Sequence, residues 1–208
     1  MDHYNSRKVA EDYHRAFTNE NGSPELKRKG VQRYAKFTSR LKQGGHILDA
    51  GCGTGRFVQY FINNGFAVTG IDSSSAMIEV AVNNNPLAEF KVMDIRYLEF
   101  PSNYFDGIWN VATLLHLGEA DVKLALQEFK RVLRCDGTLY IATRTKDTSL
   151  SIMEESTEGG EILVNYYSTS KLGDLLKTSG FETIEINVEP DDYSRPFDYP
   201  FVLAKPST

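Results

Sequence analysis

Two cysteines in 208 residues, Cys52 and Cys135, are too few for a disulfide framework or a thiolate zinc cluster. That economy implies a reducing compartment, the cytoplasm. Long apolar runs are missing too: none approaches the ~20 residues of a bilayer span, and Met1-Asp2-His3-Tyr4 opens no secretory signal. There are only seven prolines, and no repeat, low-complexity tract or linker divides the chain, so one domain is expected, as a monomer or homodimer. Positive charge is in deficit. With 23 Lys and Arg against 28 Asp and Glu, the net charge of −5 argues against a general affinity for nucleic acid. The four histidines show no metal-ligand spacing with Asp, Glu or Cys.

Against these absences stands one dense segment. Ile47-Leu48-Asp49-Ala50-Gly51-Cys52-Gly53-Thr54-Gly55 is a short apolar run ending in an acid, then three alternating glycines. Residues 56–62 continue with helical periodicity. The pattern predicts strand, tight turn and helix, with turn N–H groups unobstructed by side chains. Such a helix start suits an anionic group such as a carboxylate or phosphate.

Upstream, residues 3–19 read as one helix and Ser23-Pro24 to about Leu41 as another, with Ser23 as cap and Pro24 as first helical position. In the second, Val31, Tyr34, Ala35 and Leu41 share one face. Lys27, Arg28, Lys29, Arg33, Lys36, Arg40 and Lys42 crowd the rest, either as a solvated face or as a patch recruiting an anionic substrate. The acidic counterweight comes late, in Glu182, Glu185, Glu189, Asp191, Asp192 and Asp198. Residues 1–42 are expected as a helical lid on a core of residues 43–208.

In that core, strands at 46–50, 67–71, 90–93, 105–111 and 138–143 alternate with helices at 56–63, 75–82 and 119–133. Ser73 or Ser74 caps the second of these helices, and the turn Cys135-Asp136-Gly137 leads into the fifth strand. Alternating βα units imply an α/β fold with a parallel sheet and helices on both faces. The tail differs: after a helix at 170–179, strands at 181–188 and 200–204 follow with no crossover helix, which requires antiparallel pairing. Lys146–Tyr167, containing Gly159-Gly160, reads as a long polar connection, for substrate contact or as a plain surface excursion.

In an open α/β sheet the ligand lies outside the carboxyl ends of the strands. The first three strands end at Asp49, Asp72 and Asp94. Asp72, 21 positions after Gly51, stands where a carboxylate takes both ribose hydroxyls. A dinucleotide fingerprint needs glycine at position 56, where the chain has Arg56; it matches [DE]-x-G-x-G-x-G instead. An acid beside the turn repels a pyrophosphate but attracts an amino-acid ammonium. S-adenosylmethionine (SAM) carries that ammonium with a carboxylate, a ribose and an adenine, so the chemistry favours SAM over NAD.

From these motifs the chain resembles the class I SAM-dependent methyltransferases, particularly the small-molecule, methyltransferase-11/12-like members. Ile47–Gly55 is similar to motif I, Val68–Ile78 to the second-strand motif and Phe90–Ile95 to the third. Residues 105–110 resemble motif IV, residues 131–139 resemble the family's R-V-L-K-P-G-G-x-L, and Tyr167–Phe181 its late helix. The resemblance implies a Rossmann-like, seven-stranded sheet of order 3-2-1-4-5-7-6 with strand seven antiparallel. It also implies transfer of a methyl group from SAM to a small molecule, leaving S-adenosylhomocysteine.

The same resemblance assigns the cofactor site. Asp49, Gly51, Cys52 and Gly53 surround the methionine end, Cys52 as a small residue rather than a nucleophile. Asp72 grips the ribose, and Asp94 and Ile95 meet the adenine; Ser73 and Met77 either flank ribose and adenine or serve as cap and core packing. Asn110 and Val111 sit near the sulfonium, where a backbone carbonyl often holds the ammonium, and Tyr13 of the lid reaches the cofactor beside Tyr4 and His14. Gly55 serves close helix–sheet packing. No N-P-P-Y-type sequence follows strand four, which argues against amide and exocyclic amine acceptors, and no Pro-Cys pair supports cytosine C5 chemistry. His116 is the candidate base, although related sequences carry a similar A-S-L-x-H-L segment whatever their substrate. His3, His14 and His46 have no supporting partners in the sequence. Two alternatives remain at this point: a catalytically silent SAM-binding module and an NAD(P)-linked oxidoreductase.

Overall fold

A computed structural model of the chain describes residues 2–18, 24–156, 160–190 and 198–207. Ser23, Gly159, Asp191 and Asp192, and the side chains of His3, Lys27, Arg28, Lys29, Glu189 and Asp198, lie outside that description. A 3-10 turn at Asp2–Asn5 leads into α1 (Arg7–Thr18) and α2 (Pro24–Thr38). The core then runs β1 (His46–Ala50), α3 (Val58–Asn63), β2 (Ala67–Asp72), α4 (Ser75–Asn84), β3 (Glu89–Val92) and β4 (Phe105–Val111). After a short 3-10 turn at Leu114–His116 come α5 (Glu119–Val132), β5 (Leu133–Ala142), β6 (Leu150–Glu155) and β7 (Glu161–Tyr166). The chain closes with α6 (Thr169–Thr178), β8 (Phe181–Pro190) and β9 (Asp198–Pro206).

Seven strands form one sheet in the order β3-β2-β1-β4-β5-β9-β8. The pairs from β3 to β5 are parallel, and β9 runs antiparallel to both β5 and β8. Because β9 and β8 are the seventh and sixth strands of this sheet, the order is the expected 3-2-1-4-5-7-6.

Strand alternation builds two cores on opposite faces. Leu48, Ile108, Leu139 and Val202 point to one, where α5 contributes Leu126 and Phe129 and α6 contributes Leu172 and Leu176. Ile47, Trp109, Tyr140 and Phe201 point to the other, covered by Phe37 of α2 and Phe61 of α3. The second core is largely aromatic, with Trp109 and Tyr140 stacked at 3.9 Å between ring centres. Offset and edge-on pairs of this kind each add roughly 0.5–1.5 kcal/mol beyond their buried area.

Three expectations are corrected. On α2, Val31 and Ala35 are exposed and the inward face is the buried Phe37, with Tyr34 and, just past the helix end, Leu41 partly buried against the same core. Cys135-Asp136-Gly137 is no turn before β5 but a bulge within it, the register jumping from Leu133 opposite Phe105 to Thr138 opposite Gly107. Lys146–Tyr167 is no irregular connection: β6 and β7 form an antiparallel pair of their own, which packs on the Leu114–His116 turn. The basic helix answers an acidic strand of its own chain, Lys36 forming an ion pair with Glu185 and resting 5.0 Å from the Phe201 ring centre.

Candidate functional site

The carboxyl ends of β1, β2 and β4 meet at the glycine turn. Asp49 ends buried in the aromatic core with no solvent exposure, and neither carboxylate oxygen has a hydrogen bond. Burial pushes its pKa up to about 8; the positive charge of Arg56 pulls it down and Asp72 adds to the rise. Directly opposite in the parallel register stands Trp109, whose buried Nε1 is also without a partner. A buried carboxylate with no donor is unfavourable by itself, so this position asks for a cation.

The glycines do something other than expected. Gly51 and Cys52 both donate their N–H groups to the Ile71 carbonyl at 2.8 Å, and Gly53 donates to Asp72 Oδ2 at 2.9 Å. The turn is therefore stitched to β2, and these three amides are not free to hold an anion. Gly51 has φ +79°, and a Cβ there would meet Thr113 Oγ1 at 2.1 Å. Gly53 is the open one: a Cβ on it would find only the Tyr13 ring, 3.7 Å away. Gly55 packs against Asn85, Phe90 and Ala81 as expected. Cys52 is buried and its thiol pKa pushed well up, mainly by burial, so it is no nucleophile.

Asp72 Oδ1 accepts from Ser74 N–H at 2.9 Å. Burial raises its pKa, opposed by backbone hydrogen bonds from Ser74, Gly53 and Ser73. Three backbone donors thus leave about one of the four lone-pair sites of the carboxylate open. Ser74, not Ser73, caps α4 by accepting from Met77 N–H, and Ser73 is exposed. Asp94 is differently engaged. Both its oxygens are taken by Arg96, through Nε at 3.0 and 3.1 Å and Nη2 at 2.6 Å, and Arg96 continues to Asp121 at 2.9 Å. Arg96 holds the Asp94 pKa below its ordinary value, although burial works in the opposite direction. Ile95 beside it is buried in the core under α5.

The N-terminal segment lies over this turn. Ser74 Oγ donates to the Tyr4 carbonyl at 2.6 Å, and Ala10, Met77 and Val80 pack with Tyr4 and Tyr13. His14 Nδ1 lies 3.1 Å from Thr54 Oγ1 inside the glycine turn, a contact that nothing in the sequence announced. On the β4 side, Asn110 Nδ2 donates to the Ala50 carbonyl at 2.8 Å while its buried Oδ1 has no partner. Val111 is half-buried, and Ala112 after it takes φ +56°, a backbone state rare outside glycine and typical of functional sites. His116 is half-buried, its ring 5.5 Å from Tyr4. Thr113 and Arg96 were missed in the sequence: the gap at Gly51 implies a filling side chain, and the acid at 94 a base, without naming either.

Comparison with known proteins follows the same line. Residues 48–141 match the family model described as a methyltransferase domain. A malonyl-[acyl-carrier protein] O-methyltransferase of Erwinia pyrifoliae is 32% identical over 142 residues, 68% of this chain and 53% of that protein. Phosphoethanolamine N-methyltransferase 3 of Arabidopsis thaliana is 26% identical over 91% of this chain and 43% of its own length. The chain spans about half the length of these curated relatives. A crystal structure of a SAM-dependent methyltransferase from Methanosarcina mazei superposes with a TM-score of 0.76 at 22% identity, covering 84% of this chain and 98% of that one. Sheet order, motif order and these matches agree: the chain belongs to the class I SAM-dependent methyltransferases.

Proposed function

We propose that this chain binds SAM across the carboxyl ends of β1, β2 and β4 and transfers its methyl group to a small-molecule acceptor. The observation that carries the reading is Asp49, a fully buried carboxylate with two unpartnered oxygens beside a glycine turn. Asp49 holds the ammonium, Asp72 takes the ribose on its remaining acceptor site, and Gly53 leaves room for the cofactor under Tyr13. Ser73 and Met77 flank the ribose and adenine, and Ile95 lies beside the adenine. Asp94 acts there through its Arg96 pair, as a brace for the turn after β3. Asn110 and Val111 border the sulfonium end. Residues 2–18 form the lid.

When bound, SAM supplies an activated methyl group on a sulfonium. The protein's own work is to align nucleophile, methyl carbon and sulfur and to exclude water. Nothing in that work needs a covalent nucleophile, which agrees with the buried Cys52. His116, whose ring lies 5.5 Å from Tyr4, is the base we propose for an acceptor that must lose a proton. The curated relatives named above methylate oxygen in one case and nitrogen in the other, so the family does not choose the acceptor atom. Among the described residues no helix is long and apolar enough to cross a membrane. With two unpaired cysteines, the cytoplasm is the proposed setting.

Calorimetric titration with S-adenosylhomocysteine tests the site: micromolar or tighter binding is expected, and Asp72→Ala should weaken it at least tenfold. Unchanged affinity in that variant would misplace the ribose. Labelled SAM offered with metabolite pools tests the enzyme; cofactor binding with no transfer to any acceptor would make the chain a silent SAM-binding module.

A further inference from the structure

Beyond the cofactor site, a polar cluster stands where no packing requirement places it. The register Val111–Ala142 and the 2.8 Å bond from Ala112 N–H to the Ala142 carbonyl set Ala112 beside the end of β5, where Arg144 follows. The β6–β7 pair folds one face onto this spot: Ile152 and Ile162 are packed with Ala112 and Leu115. Asn165 Nδ2 fixes the pair there by donating to the Leu115 carbonyl at 3.1 Å. Glu154, cross-strand partner of Ile162, lies on the same face. Arg144 Nη1 donates to its Oε2 at 2.5 Å and the Tyr166 hydroxyl donates to its Oε1. The side chains of Arg144 and Glu154 are only 13% and 25% exposed.

A half-buried ion pair among isoleucines is a weak stabiliser compared with apolar residues of the same size. Its retention beside the end of β4 has a simpler use. A carboxylate offers about four acceptor positions, and the two named donors occupy two of them. We propose that Glu154, clamped by Arg144 and Tyr166, is an acceptor-binding residue that receives a hydrogen bond from a neutral hydroxyl, and that the acceptor is an alcohol, phenol or enol with an apolar body lying on Ala112, Ile152 and Ile162. The charges decide the class. Arg144 and Glu154 cancel, and Lys146, 4.6 Å from the Tyr166 ring centre, leaves one net positive charge on the cluster. That net charge disfavours a cationic amine, and an ionised carboxylate or phosphate has no proton to donate to Glu154, whereas a neutral hydroxyl donates one without bringing a charge. The inference rests on the methyltransferase reading and deepens it to oxygen acceptors.

The test offers labelled SAM with a panel of small phenols, enols, alcohols, amines, carboxylates and phosphate esters, using wild type, Glu154→Gln and Tyr166→Phe. Turnover is expected among the neutral hydroxyl compounds. Glu154→Gln should raise KM for the best of them about tenfold or more, as for a lost hydrogen bond to a charged group. Tyr166→Phe should raise it less. S-adenosylhomocysteine affinity should stay within twofold in both variants, which also certifies their fold. The proposal is overturned if the best acceptor is an amine, carboxylate or phosphate ester, if no neutral hydroxyl compound is methylated, or if Glu154→Gln leaves KM within twofold. Loss of S-adenosylhomocysteine affinity in Glu154→Gln also counts against it, since Glu154 would then support the cofactor side. Failure of wild type to bind S-adenosylhomocysteine would instead overturn the cofactor reading.

Discussion

The two halves of this sheet are built on different terms. From β3 to β1 the turn residues bond to one another: Gly51, Cys52 and Gly53 donate to Ile71 and Asp72, Ser74 caps α4 and binds Tyr4, and Arg96 locks Asp94. From β4 to β7 the end of the sheet is closed by an added layer, the β6–β7 pair, seated on the 3-10 turn through Asn165 and a small apolar cluster. The first half has little freedom to vary without losing its geometry. The second is a separable cover whose facing residues can change without touching the turn. A fold that keeps one cofactor while meeting different acceptors needs that division.

The largest expected effect breaks the rigid half. Gly51→Ala drives a Cβ into Thr113 at a residue with φ +79°, two separate penalties. Together they cost about 3 kcal/mol and lower the thermal midpoint by ~6–12 °C. A midpoint shift under 2 °C would show the turn to be softer than its hydrogen bonds imply.

Asp49→Asn separates binding from stability. Removing the carboxylate should weaken S-adenosylhomocysteine binding ~30-fold or more, yet raise the thermal midpoint at pH 7, because the fold no longer has to hold a buried acid protonated against its ordinary pKa. A fall in both quantities would mean that the carboxylate has a structural partner.

The raised pKa of Asp49 makes the same half sensitive to pH. Unfolded, the group loses its proton near pH 4; folded, it keeps it to about 8. Between those values the native state binds the extra proton, so this residue's contribution to stability declines as pH rises through that window and then levels. Cofactor binding runs the other way. An ammonium pairs with the ionised form, so affinity should climb, by at most about tenfold per pH unit, up to about pH 8. Calorimetry in buffers of different ionisation enthalpy should show proton release on binding at pH 7, and its absence would remove Asp49 from the ammonium site.

The smallest effect tests the separable half. Asn165→Ala loses the hydrogen bond to the 3-10 turn and the one accepted from Ser151, together about 2 kcal/mol, or a ~4–8 °C fall in midpoint. S-adenosylhomocysteine affinity should stay within twofold; a larger change would show that the β6–β7 cover also supports the glycine turn.

The same division governs what could be read in the sequence. Alternating βα units, the acid at each of the first three strand ends and the helix-free tail identify the sheet, its order and the cofactor end, because each rests on local periodicity and spacing. Donor destinations are not local. That Gly51 and Cys52 share the Ile71 carbonyl, or that Arg96 reaches Asp121, depends on where β2 and α5 come to rest. The β6–β7 pair was hidden for another reason. Met153 and Leu163 put apolar side chains on its exposed face, which spoils the period-two signal, and Gly159-Gly160 reads as loop. On α2, two apolar stripes compete within the same turns, and the one that meets the core is the one through Phe37.

The bond from Ser74 Oγ to the Tyr4 carbonyl spans 70 positions of sequence, and its consequence reaches into synthesis. At about 5–20 residues per second, roughly 4–14 s separate the synthesis of Tyr4 from that of the serine that seats it. The segment of residues 2–18 is thus made well before the surface that seats it. Its charged outer face, with Arg7, Glu11, Asp12 and Arg15, keeps it in water meanwhile.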